Sequence, residues 1–134
     1  MTDTTTTTPV WTEDDLISVY TRGQAIADGD LVDVSGTARE AGFVYPVALT
    51  RAVWATIEDV PPALQGIQDV RGRLWDVLWM ARLAARRGGA QTIYRLILDR
   101  NENGRRLRYI DLKMVYGPGD EAEPVITIMF PNED

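Results

Sequence analysis

The feature that most constrains this chain is a change of hydrophobic period at Gly88-Gly89. Before it, Leu74, Trp75, Leu78, Ala81 and Leu83 recur at threes and fours from Asp69 to Arg87. That is the spacing of one helix face. Asp69 offers an N-cap, and Arg82, Arg86 and Arg87 load the C-terminal end, where cations suit the helix dipole. After it the period drops to two. "TIYRLILDR" and "RLRYIDLKMVY" read as strands around the turn "NENG", and "VITIMF" as a last strand stopped by Pro131. In the middle strand Ile110, Leu112 and Met114 share one face, while Tyr109, Asp111 and Lys113 share the other. "GPGDEAEP" reads as a loop too long for a tight hairpin.

Upstream the elements are shorter. Residues 1–11 carry the tract Thr4 to Thr8 and Pro9, and read as a disordered tail. Thr12 is a candidate cap, with Glu13, Asp14 and Asp15 in a first turn and Leu16, Ile17 and Tyr20 following at helical spacing, interrupted at Gly23. "GQAIADG" is a second helical piece ending near Gly29, and "LVDV" is a brief strand. Ser35 caps a further turn, "TAREAG", closed by Gly42 in a left-handed conformation. "FVYPVALT" is extended around Pro46, and Thr50 caps "RAVWATIEDV", which Pro61-Pro62 ends. The expected architecture is a single α+β domain over residues 12–134. Its N-terminal helices pack on a C-terminal three-stranded antiparallel sheet.

The absences narrow the chemistry. The 134 residues contain no histidine and no cysteine. The common zinc sites and the Ser-His-Asp and Cys-His catalytic groups therefore have no ligands to build from. Neither G-x-G-x-x-G nor the P-loop pattern occurs. No apolar run reaches membrane-spanning length, and the first residues lack the basic and apolar regions of a signal peptide. The expectation is a cytoplasmic protein that is not an enzyme and needs no cofactor.

Charge is segregated along the chain. Residues 1–70 carry 11 acids against 3 bases, residues 71–116 carry 4 against 11, and residues 117–134 carry 5 acids and no base. Two acidic groups are candidate partner-binding residues: Asp28, Asp30 and Asp33, and Asp120, Glu121 and Glu123. The first is not a calcium loop. With Asp28 and Asp30 at positions 1 and 3, position 5 is Val32 and position 12 is Arg39, which cannot ligate a cation. No metal site is assigned. The second group, on a loop away from any helix dipole, has little evident structural duty. Arg105, Arg106 and Arg108 are candidate phosphate-binding residues, but the acidic chain lacks the aromatic interleaving of a nucleic-acid surface, so direct nucleic-acid binding is not expected. Trp54, Trp75 and Trp79 are assigned to core packing, with a ligand-stacking pocket as the alternative.

The blocks "AIADGDLVDVSGTAREAGFVYPVALT", "GRLWDVLWMARLAAR" and "GPGDEAEPVITIMFPNED" resemble an uncharacterised family of small bacterial proteins carried on plasmids, integrative elements and phages. The resemblance runs from Tyr20 to Asp134. It implies a setting among anti-restriction and other accessory functions of mobile elements, and no site residues. Together with the acidic groups it leads to the expectation of an accessory protein of a mobile genetic element. Such a protein would bind the basic surface of a host defence protein, with acidic side chains imitating nucleic-acid phosphates. The alternative is a small-molecule or nucleotide binder using an arginine-lined sheet face and the Trp cluster.

Overall fold

A computed structural model describes residues 20–66, 68–100 and 107–134. The helix expected from Thr12, including Glu13 to Asp15, the Thr-rich tail, Trp11 and the "NENG" turn with Arg105 and Arg106 lie outside the described residues. In chain order the elements are α1 (Arg22–Asp28), β1 (Leu31–Asp33), α2 (Ser35–Glu40), β2 (Val47–Thr50), α3 (Arg51–Glu58), a 3-10 turn (Pro62–Leu64), α4 (Val70–Ala84), a second 3-10 turn (Ala85–Arg87), β3 (Gln91–Arg100), β4 (Leu107–Pro118) and β5 (Pro124–Met129).

The helix boundaries follow local chemistry. Asp69 accepts from the Gly72 amide at 2.7 Å and Thr50 from the Val53 amide at 3.4 Å, each satisfying a first-turn donor with no partner inside its helix. Gly29 and Gly42 follow α1 and α2 with φ of 83° and 105°, the left-handed region where a Cβ is penalised. The break expected at Gly23 falls slightly earlier: Tyr20 and Thr21 are not helical, and α1 begins at Arg22, one residue before the expected "GQAIADG" piece. Its N-cap is Thr21, whose hydroxyl accepts from the Gln24 amide while the Gln24 side chain accepts from the Thr21 amide. That reciprocal pair is the capping box written in "TRGQ".

The sheet has five strands in the order β1-β2-β5-β4-β3 and is mixed, which corrects the expected three-stranded antiparallel sheet. β1 pairs antiparallel with β2, and β2 pairs parallel with β5, setting Val47 against Ile126 and Leu49 against Ile128. The two short strands therefore extend the C-terminal meander. The β4–β5 connection is tighter than expected. Pairing runs to Pro118 opposite Pro124, and Gly119 donates to the Glu123 carbonyl at 2.6 Å across a five-residue loop.

One face carries the core. Val47, Leu49, Leu112, Met114, Ile126 and Ile128 point to it and meet Val53 and Ile57 of α3 and Leu74, Val77, Leu78 and Ala81 of α4. α1 sits on the other face, because Arg22 bonds Thr127, whose side chain alternates away from Ile126 and Ile128. The β3–β4 half of that second face leaves Ile93 and Tyr109 exposed.

The tryptophans divide. Trp54 packs against the core, but Trp75 and Trp79 are 37% and 42% exposed and stack on each other with ring centroids 6.1 Å apart. This corrects their assignment to core packing. α4 carries two apolar rows, Leu74-Leu78-Ala81 and Trp75-Trp79-Leu83, and the first faces the sheet. Arg73 fills the buried side instead of a hydrophobe. At 2% exposure it donates to the Ile57 carbonyl and pairs with Asp99, which also receives Arg108 at 2.7 Å.

Candidate partner-binding site

The site grows from the first turn of α1. Asp120, at the β4–β5 loop, accepts from the amides of Arg22 and Gly23 at 2.7 and 2.9 Å, supplying the negative charge that a helix N-terminus favours. The Arg22 guanidinium runs under the helix to the sheet and donates to Thr127 Oγ1 at 2.7 Å and the Ile126 carbonyl at 2.8 Å. Burial lowers the Arg22 pKa from its ordinary value, and the charges of Asp33, Asp120 and Glu123 oppose that shift. Arg22 thus gathers carboxylates from two distant parts of the chain. The groove between them is about 370 Å³ and is lined in part by Arg22, Asp33, Arg39, Asp120 and Glu123.

Around this centre each acid has a local partner. Asp33 accepts from the Ser35 amide at 3.1 Å and its hydroxyl at 2.5 Å, while Val34 occupies the α2 cap position that Ser35 was expected to hold. The Tyr20 hydroxyl lies 2.7 Å from both Asp28 Oδ2 and Asp30 Oδ2. Its single proton serves one carboxylate at a time. The hydrogen bonds to Asp30 and then Asp28 push the Tyr20 pKa well above the usual tyrosine range. Asp30 also pairs with Arg51, whose Nε donates to the Gly29 carbonyl at 3.1 Å. Glu123 folds back to accept from the Glu121 amide at 3.0 Å.

The structure therefore brings Asp33, Asp120 and Glu123 together around Arg22, with Asp28 and Asp30 at the far end of α1. It also corrects the view that the second group has little structural duty. Asp120 holds the start of α1 and Glu123 shapes its loop. Among the described residues, no cluster of three or more acids is arranged to hold a metal ion.

The arginine-lined sheet face is different in kind. Arg108 is committed to Asp99, and Arg95 grips Asp111 through two bonds at 2.7 and 3.2 Å while lying 6.0 Å from the Tyr109 ring centroid. That arrangement pulls the Asp111 pKa below the ordinary carboxylate value and raises that of Arg95. Two neighbouring carboxylates already occupy these guanidinium groups, so Arg108 and Arg95 offer an incoming phosphate little. Tyr94 is buried and donates to the Val77 carbonyl at 3.1 Å; burial raises its pKa far above the usual range, so it is no acid–base group at neutral pH. Arg22 and Arg51 were not singled out in the sequence. The "TRGQ" capping box was the available signal that a helix, and hence an anion-seeking N-terminus, begins at Arg22.

Among the described residues no helix is long and apolar enough to cross a membrane. The model of a family of unknown function, DUF6573, matches residues 9–134, and the chain belongs to that family. Neither a curated protein nor a solved structure matches it.

Proposed function

We propose that this family member is a non-enzymatic accessory protein of a mobile genetic element. It binds a basic host defence protein in the cytoplasm through the acidic surface around α1. The observation that carries this reading is the convergence at Arg22 of Asp33 with Asp120 and Glu123, with Asp28, Asp30 and Glu121 at its margins. Backbone amides hold Asp33, Asp120 and Glu123 in place, and a fixed pattern of negative charge is what a phosphate-binding surface recognises. Its segregation from the arginine-rich β3–β4 half gives the domain a polarity that orients an approaching partner.

The test is affinity capture from a host lysate, with the captured protein then measured as a purified pair. Binding should fall steeply between low and high salt. Glu121→Lys with Asp28→Lys should weaken it at least several-fold while the melting temperature holds, since neither carboxylate caps a helix. Salt-insensitive binding, or unchanged affinity of that variant, would refute the acidic-surface reading.

A further inference from the structure

The β3 edge of the sheet is open. β3 ends the strand order β1-β2-β5-β4-β3, so β4 is its one neighbour among the described strands. The Tyr116 amide donates to the Ala90 carbonyl at 2.8 Å, which fixes the phase of the ladder. With Thr92 opposite Met114, Tyr94 opposite Leu112 and Leu96 opposite Ile110, the even residues of β3 bond β4. Ile93, Arg95 and Ile97 therefore turn their amides away from β4. Side chains cap the edge at two points. Arg87 Nη1 donates to the Ile93 carbonyl at 2.7 Å, and Gln68 Nε2 to the Leu98 carbonyl at 3.3 Å. Between those caps, among the described residues, nothing bonds the amides of Arg95 and Ile97 or the Arg95 carbonyl.

A groove of about 500 Å³ lies along this open stretch. It touches Leu96, which faces the core, and Arg95 and Ile97, which face away, so it straddles the edge. Trp79 and Met80 of α4 wall one side, and Tyr109 of β4 lies on the other.

We propose that an extended segment of a partner protein adds to this edge as a further strand, with apolar side chains on both of its faces and an acidic one at the Arg87 end. Backbone chemistry decides the conformation of the occupant. Outward amides and carbonyls at strand spacing are matched by another strand, whereas a helix spends its own backbone groups internally. Successive side chains of an added strand point to opposite faces. One set meets Trp79 and Met80, the other Ile97 and Tyr109, and both walls are largely apolar. Arg87 has no ion pair among the described residues and supplies the charge preference, while Arg95 is already neutralised by Asp111. The stretch from Arg95 to Ile97 is about 10 Å long at 3.3 Å per residue, which suits a short linear segment. β3 of a second copy is a poorer match, because its register shifts between Ile97 and Asp99, and a bulge there twists an edge away from self-pairing. The site is independent of the acidic surface, whose Arg22 contacts β5, two strands away.

The probe is a synthetic peptide of alternating valine and threonine with glutamate at each end, added to the full chain. Amide exchange followed by NMR should slow at Ile93, Arg95 and Ile97 and hold steady at Thr92, Tyr94 and Leu96, whose amides already sit in the ladder. Arg95→Pro removes an outward amide and leaves the β4 ladder intact, as an edge strand tolerates. It should weaken the peptide about tenfold. If that variant fails to fold, the alternating pattern in the wild type decides alone. No binding at about 1 mM peptide, binding without the alternating pattern, or undiminished binding to folded Arg95→Pro each overturns the proposal. A peptide with lysine in place of glutamate that binds equally well overturns the acidic preference. Protection of the three amides in the free monomer assigns the edge to the chain's own N-terminal residues, and protection that grows with protein concentration assigns it to a second copy. Either result overturns the partner segment.

Discussion

Replacing Asp120 by Ala removes one carboxylate that serves two backbone amides, those of Arg22 and Gly23, at 2.7 and 2.9 Å. Charge-assisted hydrogen bonds are each worth about 1.5 to 3 kcal/mol when desolvated. These amides are exposed, so water replaces part of the loss, and the helix-cap range of about 0.5 to 2 kcal/mol is the better guide. The loss of a charge near half-buried Arg22 adds to it, which places the cost near 1.5 kcal/mol, at the upper part of that range. For a domain of this size that corresponds to a fall of about 4 to 6 °C in Tm. Glu121→Ala is the matched control on the same loop, and surface changes of that kind stay within about 0.5 kcal/mol. Thermal melts and urea titrations of both variants beside the wild type measure the difference. If Asp120→Ala melts within about 1 °C of Glu121→Ala, the carboxylate is not holding α1, and the acidic surface is not preorganised as described.

Three further outcomes rest on contacts elsewhere in the fold. Arg73→Ala should destabilise the domain, though by less than the roughly 3 to 5 kcal/mol of a fully orphaned buried charge, because Arg108 still pairs with Asp99; Arg73→Met should cost less, and urea titration orders the two. The Asp111 pKa in the folded protein should lie below the ordinary aspartate value by NMR titration and return towards it in Arg95→Gln. Since the folded value is the lower one, the stabilisation is present above the unfolded pKa and is lost as pH falls through the folded pKa. Gly42→Ala should cost about 1 to 2 kcal/mol by chemical denaturation, since φ is 105° and the added Cβ would run into the Arg82 side chain.

Much of the local structure was already legible in the chain. Asp69 and Thr50 cap their helices, Gly29 and Gly42 end theirs, and the drop in period after Gly88-Gly89 marks the passage from helix to sheet. Each of these depends on a few neighbouring residues and their own hydrogen bonds and dihedral angles, so adjacent letters carry the information. Three things were decided only by tertiary structure. The parallel pairing of β2 with β5 joins Val47 to Ile126 across most of the domain, and a four-residue strand has no letter that names so distant a partner. The phase of α4 was open because both of its rows are apolar, and docking on the sheet chose Leu74-Leu78-Ala81 and left Trp75 and Trp79 outside. The meeting of Asp33 with Asp120 at Arg22 needed α1 on the second sheet face, beside the β4–β5 loop. Local rules place the ends of elements; packing alone decides which faces and which distant carboxylates come together.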